Sequence, residues 1–143
     1  VRDKQNLLLH AWENVTSILN SSARILDLGF SGAARKMFIM GAQGNDDSPA
    51  DYELNITTNR STNPWLANAA ASWQRAGVMT QKLGEKYSYG GFFEDEVGGL
   101  RILSINTIVY SGAHSPSDPA PADPFGQFAW LRARLQQAVG DGR

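Results

Sequence analysis

The stretch from Leu100 to Tyr110 constrains the fold more than any other part of the chain. Leu103, Ile105, Thr107 and Val109 alternate with Ile102, Ser104, Asn106 and Ile108, the period of a β-strand. Both sets are mainly apolar, so the spacing predicts a strand covered on both faces and central in its sheet. Helices have to supply that cover. Leu8, Trp12, Val15 and Leu19 recur at spacings of four, three and four, which predicts an amphipathic helix of about 15 residues ended by Asn20-Ser21-Ser22. Asn63-Pro64 joins a capping side chain to a proline at the first helical position. Trp65, Leu66, Ala69, Ala70 and Trp73 then form one apolar face, with Gly77 and Gly84 bearing on where that helix stops. Asp123-Pro124 repeats the same start, and Phe128, Leu131, Leu135 and Ala138 predict the core stripe of a last helix ending at Gly140.

Two further strands are expected. Lys36 to Met40 is a short apolar run that reads as buried, and Tyr87 to Glu94, with Gly90-Gly91 inside it, reads as a strand with a bulge. Pro116, Pro119 and Pro121 make residues 111–123 a loop. Helices alternating with short buried strands indicate an α/β fold. The tryptophans Trp12, Trp65, Trp73 and Trp130 fall at helical core spacing, and packing explains them better than a ligand cage. Tyr87, Tyr89, Phe92 and Phe93 suit either a strand core or a lipid-like ligand, with the core favoured.

The 143 residues fit one domain or a piece of one. Thirteen basic residues against fourteen acidic ones give no electrostatic case for binding nucleic acid or a polybasic membrane contact. The absence of cysteine excludes disulfides, thiolate zinc sites and a cysteine nucleophile. No apolar run approaches the roughly 18 residues of a membrane helix, and no signal-like segment follows Val1. There is no Gly-x-Ser-x-Gly elbow, phosphate-binding Gly-x-x-x-x-Gly-Lys loop or dinucleotide fingerprint. Four of the nine asparagines (Asn14, Asn20, Asn55 and Asn59) lie in Asn-x-Ser/Thr sequons, more than Ser/Thr content alone would give. They point to a secreted protein or one of the lysosomal or endomembrane lumen, although a Ser/Thr-rich chain outside that pathway has the same pattern.

The loop after Met40 holds the candidate chemistry. Asn45, Asp46, Asp47, Asp51 and Glu53 place five oxygen-bearing side chains within nine residues, a composition suited to hard cations. It lacks the ladder and central glycine of an EF-hand, and a solvated Asx turn accounts for the same spacing.

Gly44-Asn45-Asp46-Asp47 resembles the Gly-Asn-His-Asp/Glu block of the calcineurin-like metallophosphoesterases. GNDDSPADYELN from Gly44, YGGFFE from Tyr89, GLRILSINTIVY from Gly99 and DPFGQFAWLRARL from Asp123 resemble the acid sphingomyelinase-like branch, in family order, over roughly residues 36–139. The resemblance implies a four-layer α/β/β/α sandwich, of which residues 1–143 are a middle portion. It implies hydrolysis of a small-molecule or lipid phosphoester by water activated between two divalent metals, zinc or iron. Asn45 would give one metal a neutral oxygen. Asp47 would hold the loop or a histidine behind the metal ligands. Asp46 stands where the family has the histidine that protonates the leaving group.

An aspartate has a reference pKa near ~3.9 against ~6.5 for histidine, so Asp46 suits that role only if buried or in an acid compartment. The family's Asp-x-His, Gly-Asp and Gly-His-x-His motifs are absent, and the two histidines are His10, on the first helix, and His114, in the proline-rich loop. His10 reads as an ordinary helix residue. His114 reads as either an exposed loop residue or one beside a substrate groove. The motif order places the early metal motifs before Val1 and the late histidines after Arg143, so the rest of the catalytic domain is an expected partner and the isolated chain is expected to be inactive. The alternative is a non-catalytic fragment that keeps the scaffold as a binding or interaction domain.

Overall fold

The computed structural model describes residues 42–56, 63–114 and 122–142, together with most of 4–18. The expected strand at Lys36–Met40 and the sequons at Asn20 and Asn59 lie outside the described residues, as do the side chains of Leu8, Trp12 and Leu19. The first helix (α1, residues 4–18) is present as its spacing predicts. It docks through Leu9, which packs on the core, and through Glu13. Val15, placed on the inward stripe by its spacing, is exposed.

Helix α2 (Pro64–Arg75) starts where the cap and proline place it. Asn63 Oδ1 accepts from the N–H groups of Trp65 and Leu66 at 3.0 and 3.4 Å. The Asn63 Nδ2 donates to the Asn55 carbonyl at 2.6 Å, which ties the helix start to the preceding loop. Trp65, Leu66, Ala69, Ala70 and Trp73 are all buried. Ser72, between them in the sequence, donates to Glu13 of α1 at 2.8 Å and also reaches the Leu9 carbonyl at 3.1 Å.

Helix α3 (Gln81–Gly90) takes the first part of the strand predicted at Tyr87–Glu94, of which Phe93 and Glu94 alone lie in a strand. Thr80 Oγ1 caps it by accepting from the Leu83 N–H. Gly91, at a φ of 78°, ends it in the left-handed conformation that glycine adopts most readily. The glycine pair is thus a helix stop, not a bulge. Gly84 sits where α3 closes on α2; a Cβ there would lie 2.0 Å from Gln74 Nε2, the far end of a flexible side chain, which would have to move aside.

The described strands, β1 (Phe93–Val97) and β2 (Leu100–Ser104), form one antiparallel pair with Phe93 opposite Ser104 and Val97 opposite Leu100. Gly98 and Gly99, both at positive φ, make the two-residue turn between them. The strand predicted through Tyr110 stops at Ser104. Residues 108–110 form a 3-10 turn, and Ser104, Asn106, Ile108 and Val109 are buried while Ile105 is exposed. The alternation continues past the strand, but the polar members of the set occupy the inside.

That inversion has a specific cause. The backbone N–H of Asn106 donates to Gln127 Oε1 at 2.7 Å, and Gln127 Nε2 donates back to the Asn106 carbonyl at 2.9 Å. Asn106 Nδ2 also donates to the Gly90 carbonyl at 2.9 Å, and its Oδ1 accepts from Ile108 N–H at 3.1 Å. Asn106 therefore fastens the end of β2 to the end of α3 and to the start of helix α4 (Gln127–Gly140).

The start of α4 differs from expectation too. Pro124–Gly126 forms a separate 3-10 turn, with Phe125 at a φ of 58°. Asp123 still caps, but across that turn, its two carboxylate oxygens accepting from the N–H groups of Phe128 and Ala129 at 2.8 and 3.0 Å. Tyr110 donates its hydroxyl to Asp123 at 3.2 Å. Burial of the Tyr110 hydroxyl and the nearby Asp123 charge push its pKa up to about 12. Of the predicted α4 stripe, Phe128 and Leu135 are exposed, whereas Leu131 and Ala138 are half-buried, as are Trp130 and Arg134.

The core combines α2, α3 and the hairpin. Tyr87 is its centre, fully buried, with ring centroids 4.9 Å from Trp73 and 6.1 Å from Phe93.

Candidate functional site

Residues Asn45–Asp47 form a single 3-10 turn at the surface of this core. Its closure is local: Asp47 N–H donates to the Gly44 carbonyl at 3.1 Å, and Gly44 N–H donates to Asp47 Oδ2 at 2.9 Å. The Asp47 carboxylate thus closes the turn through its Oδ2.

The turn is fastened to the core through the backbone of the same residue. The Asp47 carbonyl accepts from Trp65 Nε1 at 2.6 Å and from Gln43 Nε2 at 2.8 Å. Gln43 in turn accepts the Tyr87 hydroxyl at 3.2 Å. Burial, and then the Asp47 charge, push the Tyr87 pKa upward, so the hydroxyl stays a donor. Ser48, fully buried, closes the next turn with its hydroxyl 2.6 Å from the carbonyls of Asn45 and Ala50.

Asn45 is half-buried, and its Nδ2 donates to Asp51 Oδ1 at 2.7 Å. That bond fixes which way the amide faces: the N–H side meets Asp51, and Oδ1 points away from it as an acceptor. Tyr52, next in the chain, holds a φ of 58° while its N–H donates to the Asn45 carbonyl at 3.3 Å. A non-glycine residue in that region costs about 1 kcal/mol or more. The loop accepts that strain to bring residues 51 and 52 back over Asn45.

Asp46 is exposed, and among the described residues no hydrogen bond or ion pair engages its side chain. Of the two conditions under which an aspartate suits the acid role, burial is not met. His114 is half-buried, with Nε2 2.8 Å from the Leu54 carbonyl, so it sits against the far end of this loop and not free in solvent. Asn14 and Asn55 are exposed. His10 is exposed on α1, 3.8 Å from Glu13.

Gln43, Asp51, Trp65 and Tyr87 complete the site's support. Asp51 stands out in the sequence as one of the clustered oxygens, and Trp65 as a core residue. Nothing in the spacing signals that Trp65 and Tyr87 would serve the loop through their polar ends. Among the described residues no group of three or more His, Asp or Glu side chains is placed to hold a metal ion. The described residues thus provide one oriented amide oxygen and nearby carboxylates, and do not by themselves make up a metal centre.

The sequence is similar to a sphingomyelinase phosphodiesterase D of Dictyostelium discoideum, 37% identical over 99 residues. That stretch is 69% of this chain and 21% of the relative, so the chain spans about a fifth of that protein's length. No family model matches the chain. No solved structure matches it. The chain is thus related in sequence to a protein named as a sphingomyelinase phosphodiesterase.

Proposed function

We propose that the chain is part of a metal-dependent phosphoesterase, a sphingomyelinase-like phosphodiesterase, in which Asn45 donates its amide oxygen to one of two divalent metals. The observation that carries this reading is the orientation of that amide. Asp51 takes its N–H, on a turn whose Asp47 carbonyl is bonded to Trp65 and Gln43. An amide held so offers a neutral oxygen at a fixed position, as a hard or borderline cation requires. Similarity to a sphingomyelinase phosphodiesterase supports the substrate class, a small-molecule or lipid phosphoester.

In this reading zinc or iron would polarise a phosphoryl oxygen and supply a nucleophilic water. This chain's own residues do the positioning. Asp47 holds the turn, Asp51 aims Asn45, and Asp46 stands exposed where a proton would be delivered to the leaving group at acid pH. His114, against the Leu54 carbonyl, borders the same loop and would flank a substrate bound there. The remaining ligands come from the rest of a calcineurin-like α/β/β/α sandwich, to which the helices and hairpin belong as one part. The exposed Asn14 and Asn55 are compatible with glycosylation in a secretory or lysosomal lumen.

The experiment is hydrolysis of a bis-aryl phosphodiester, with metal content, by a longer protein containing this chain. Turnover with bound metal, lowered by Asn45→Ala, is expected. Asp46→Asn is expected to slow substrates with poor leaving groups, and an unchanged rate removes the acid role. A longer protein that holds no metal and shows no hydrolysis from acid to neutral pH overturns the catalytic reading. A scaffold used for binding alone would then stand.

A further inference from the structure

We infer that the cleft between α3, β1 and the start of α4 is a binding site for a flat aromatic anion carrying a single negative charge. The cleft has a volume of about 670 Å³, within the roughly 300–1,000 Å³ of small-molecule sites. None of its lining residues belongs to the 43–54 loop, so the inference does not rest on the phosphoesterase reading.

Its floor is aromatic. Phe92 and Trp130 have ring centroids 4.8 Å apart, and Tyr89 meets Phe92 and Phe125 edge-on, each at 6.3 Å. Phe92 and Phe125 are nearly fully buried, while Tyr89 and Trp130 are half-exposed toward the cleft. Half-exposed rings beside buried ones offer an apolar surface on which a planar ring system can stack.

The rim supplies the charge. Glu94 lies 3.2 Å from Arg101 Nε and 3.6 Å from Arg134 Nε, and Arg101 Nη2 reaches Asp141 at 2.9 Å. These four groups cancel, two positive against two negative. Lys86, exposed on the same cleft, adds one positive charge. Among the described residues the network is incompletely hydrogen-bonded: Arg134 Nε is buried, 3.6 Å from Glu94 and without a hydrogen-bond acceptor, although Nη1 of the same side chain donates to Gln137 at 3.0 Å. A buried donor without an acceptor is unfavourable, and an anion seated between Lys86 and Arg134 would draw that guanidinium into full hydrogen bonding. An aromatic floor with one surplus positive charge at its edge matches a ring bearing one carboxylate or a singly ionised phosphate ester.

The test is calorimetric titration of the whole chain with 1-naphthoate at low ionic strength, against acetate and 1-naphthalenemethanol. Saturable one-to-one binding is expected, with acetate and the neutral alcohol each weaker by about tenfold or more. Lys86→Gln, an exposed change that leaves the fold intact, is expected to weaken naphthoate about tenfold, and Arg134→Gln at least as much. Lys82→Gln, on the same helix but outside the cleft, leaves binding unchanged. Absence of saturable binding overturns the inference. So does equal binding of naphthoate and the neutral alcohol, or affinity unaltered by both charge variants.

Discussion

The Gln127 carboxamide pairs with the backbone of Asn106 as an opposite residue does in an antiparallel ladder, taking its N–H at 2.7 Å and giving its carbonyl an N–H at 2.9 Å. One side chain thus stands in for a strand, at the point where β2 has ended and the chain has turned inward.

Removing that side chain strands two buried backbone groups at once. Gln127→Ala is expected to destabilise the fold by about 2–4 kcal/mol, the cost of leaving a buried donor and acceptor unmade. Gln127→Glu keeps the acceptor but loses the donor, and is expected to fall between wild type and alanine. Urea unfolding midpoints check the order.

Two glycines separate crowding from conformation. A Cβ on Gly90 would lie 2.6 Å from Phe92 and 2.8 Å from Phe125, both in the aromatic core. Gly90→Ala is expected to cost about 1–3 kcal/mol through overpacking. Gly98 has nothing within 4 Å but a φ of 58°, so Gly98→Ala is expected to cost about 1 kcal/mol from backbone strain alone. Only the first should perturb near-ultraviolet circular dichroism, which reports aromatic packing.

Acid should loosen the start of α4. Burial pulls the Asp123 carboxyl upward, but the N–H groups of Phe128 and Ala129 and the Tyr110 hydroxyl outweigh it and hold the group below the usual carboxylate range. The folded state therefore binds this proton less readily than the unfolded chain. The stabilisation is complete above the ordinary aspartate pKa of ~3.9 and is lost as pH falls through the lower folded value. Asp123→Ala should be less stable than wild type at neutral pH, and the gap should close as pH falls below about 4. Thermal melts across that range measure it.

Asp51 should act through Asn45. Asp51→Ala releases the amide to rotate, while Asp51→Asn retains an acceptor for the Asn45 N–H. In a longer protein containing this chain, alanine is expected to lower metal affinity by about tenfold and asparagine to recover much of it. Equal affinity in both variants would show that the Asn45–Asp51 bond positions nothing.

The sequence carried the helices better than the strands, for physical reasons visible at particular residues. Asn63-Pro64 is a local signal, and α2 begins there. Gly90-Gly91 carries an equally local signal, but a left-handed glycine ends a helix as readily as it kinks a strand, and the aromatic run hid the helical spacing of Gly84, Tyr87 and Ser88. Gly98-Gly99 marks a hairpin that the apolar run after it draws attention away from. The long strand prediction failed at Ser104 because burial of Asn106 depends on Gln127, 21 residues on, and no window of local sequence contains both. At the site, the cluster of oxygens was legible as composition. The pairing of Asn45 with Asp51 was not, since it depends on the strained turn at Tyr52.

The turn at Asn45–Asp47 divides its labour unevenly. Trp65, Gln43 and Gly44 hold it through Asp47, and among the described residues the side chain at position 46 makes no hydrogen bond or ion pair. That position is consequently free to change its chemistry at little cost in stability. A library of residues at 46 would therefore vary the side chain presented at the turn while leaving the bonds made by Asp47 in place.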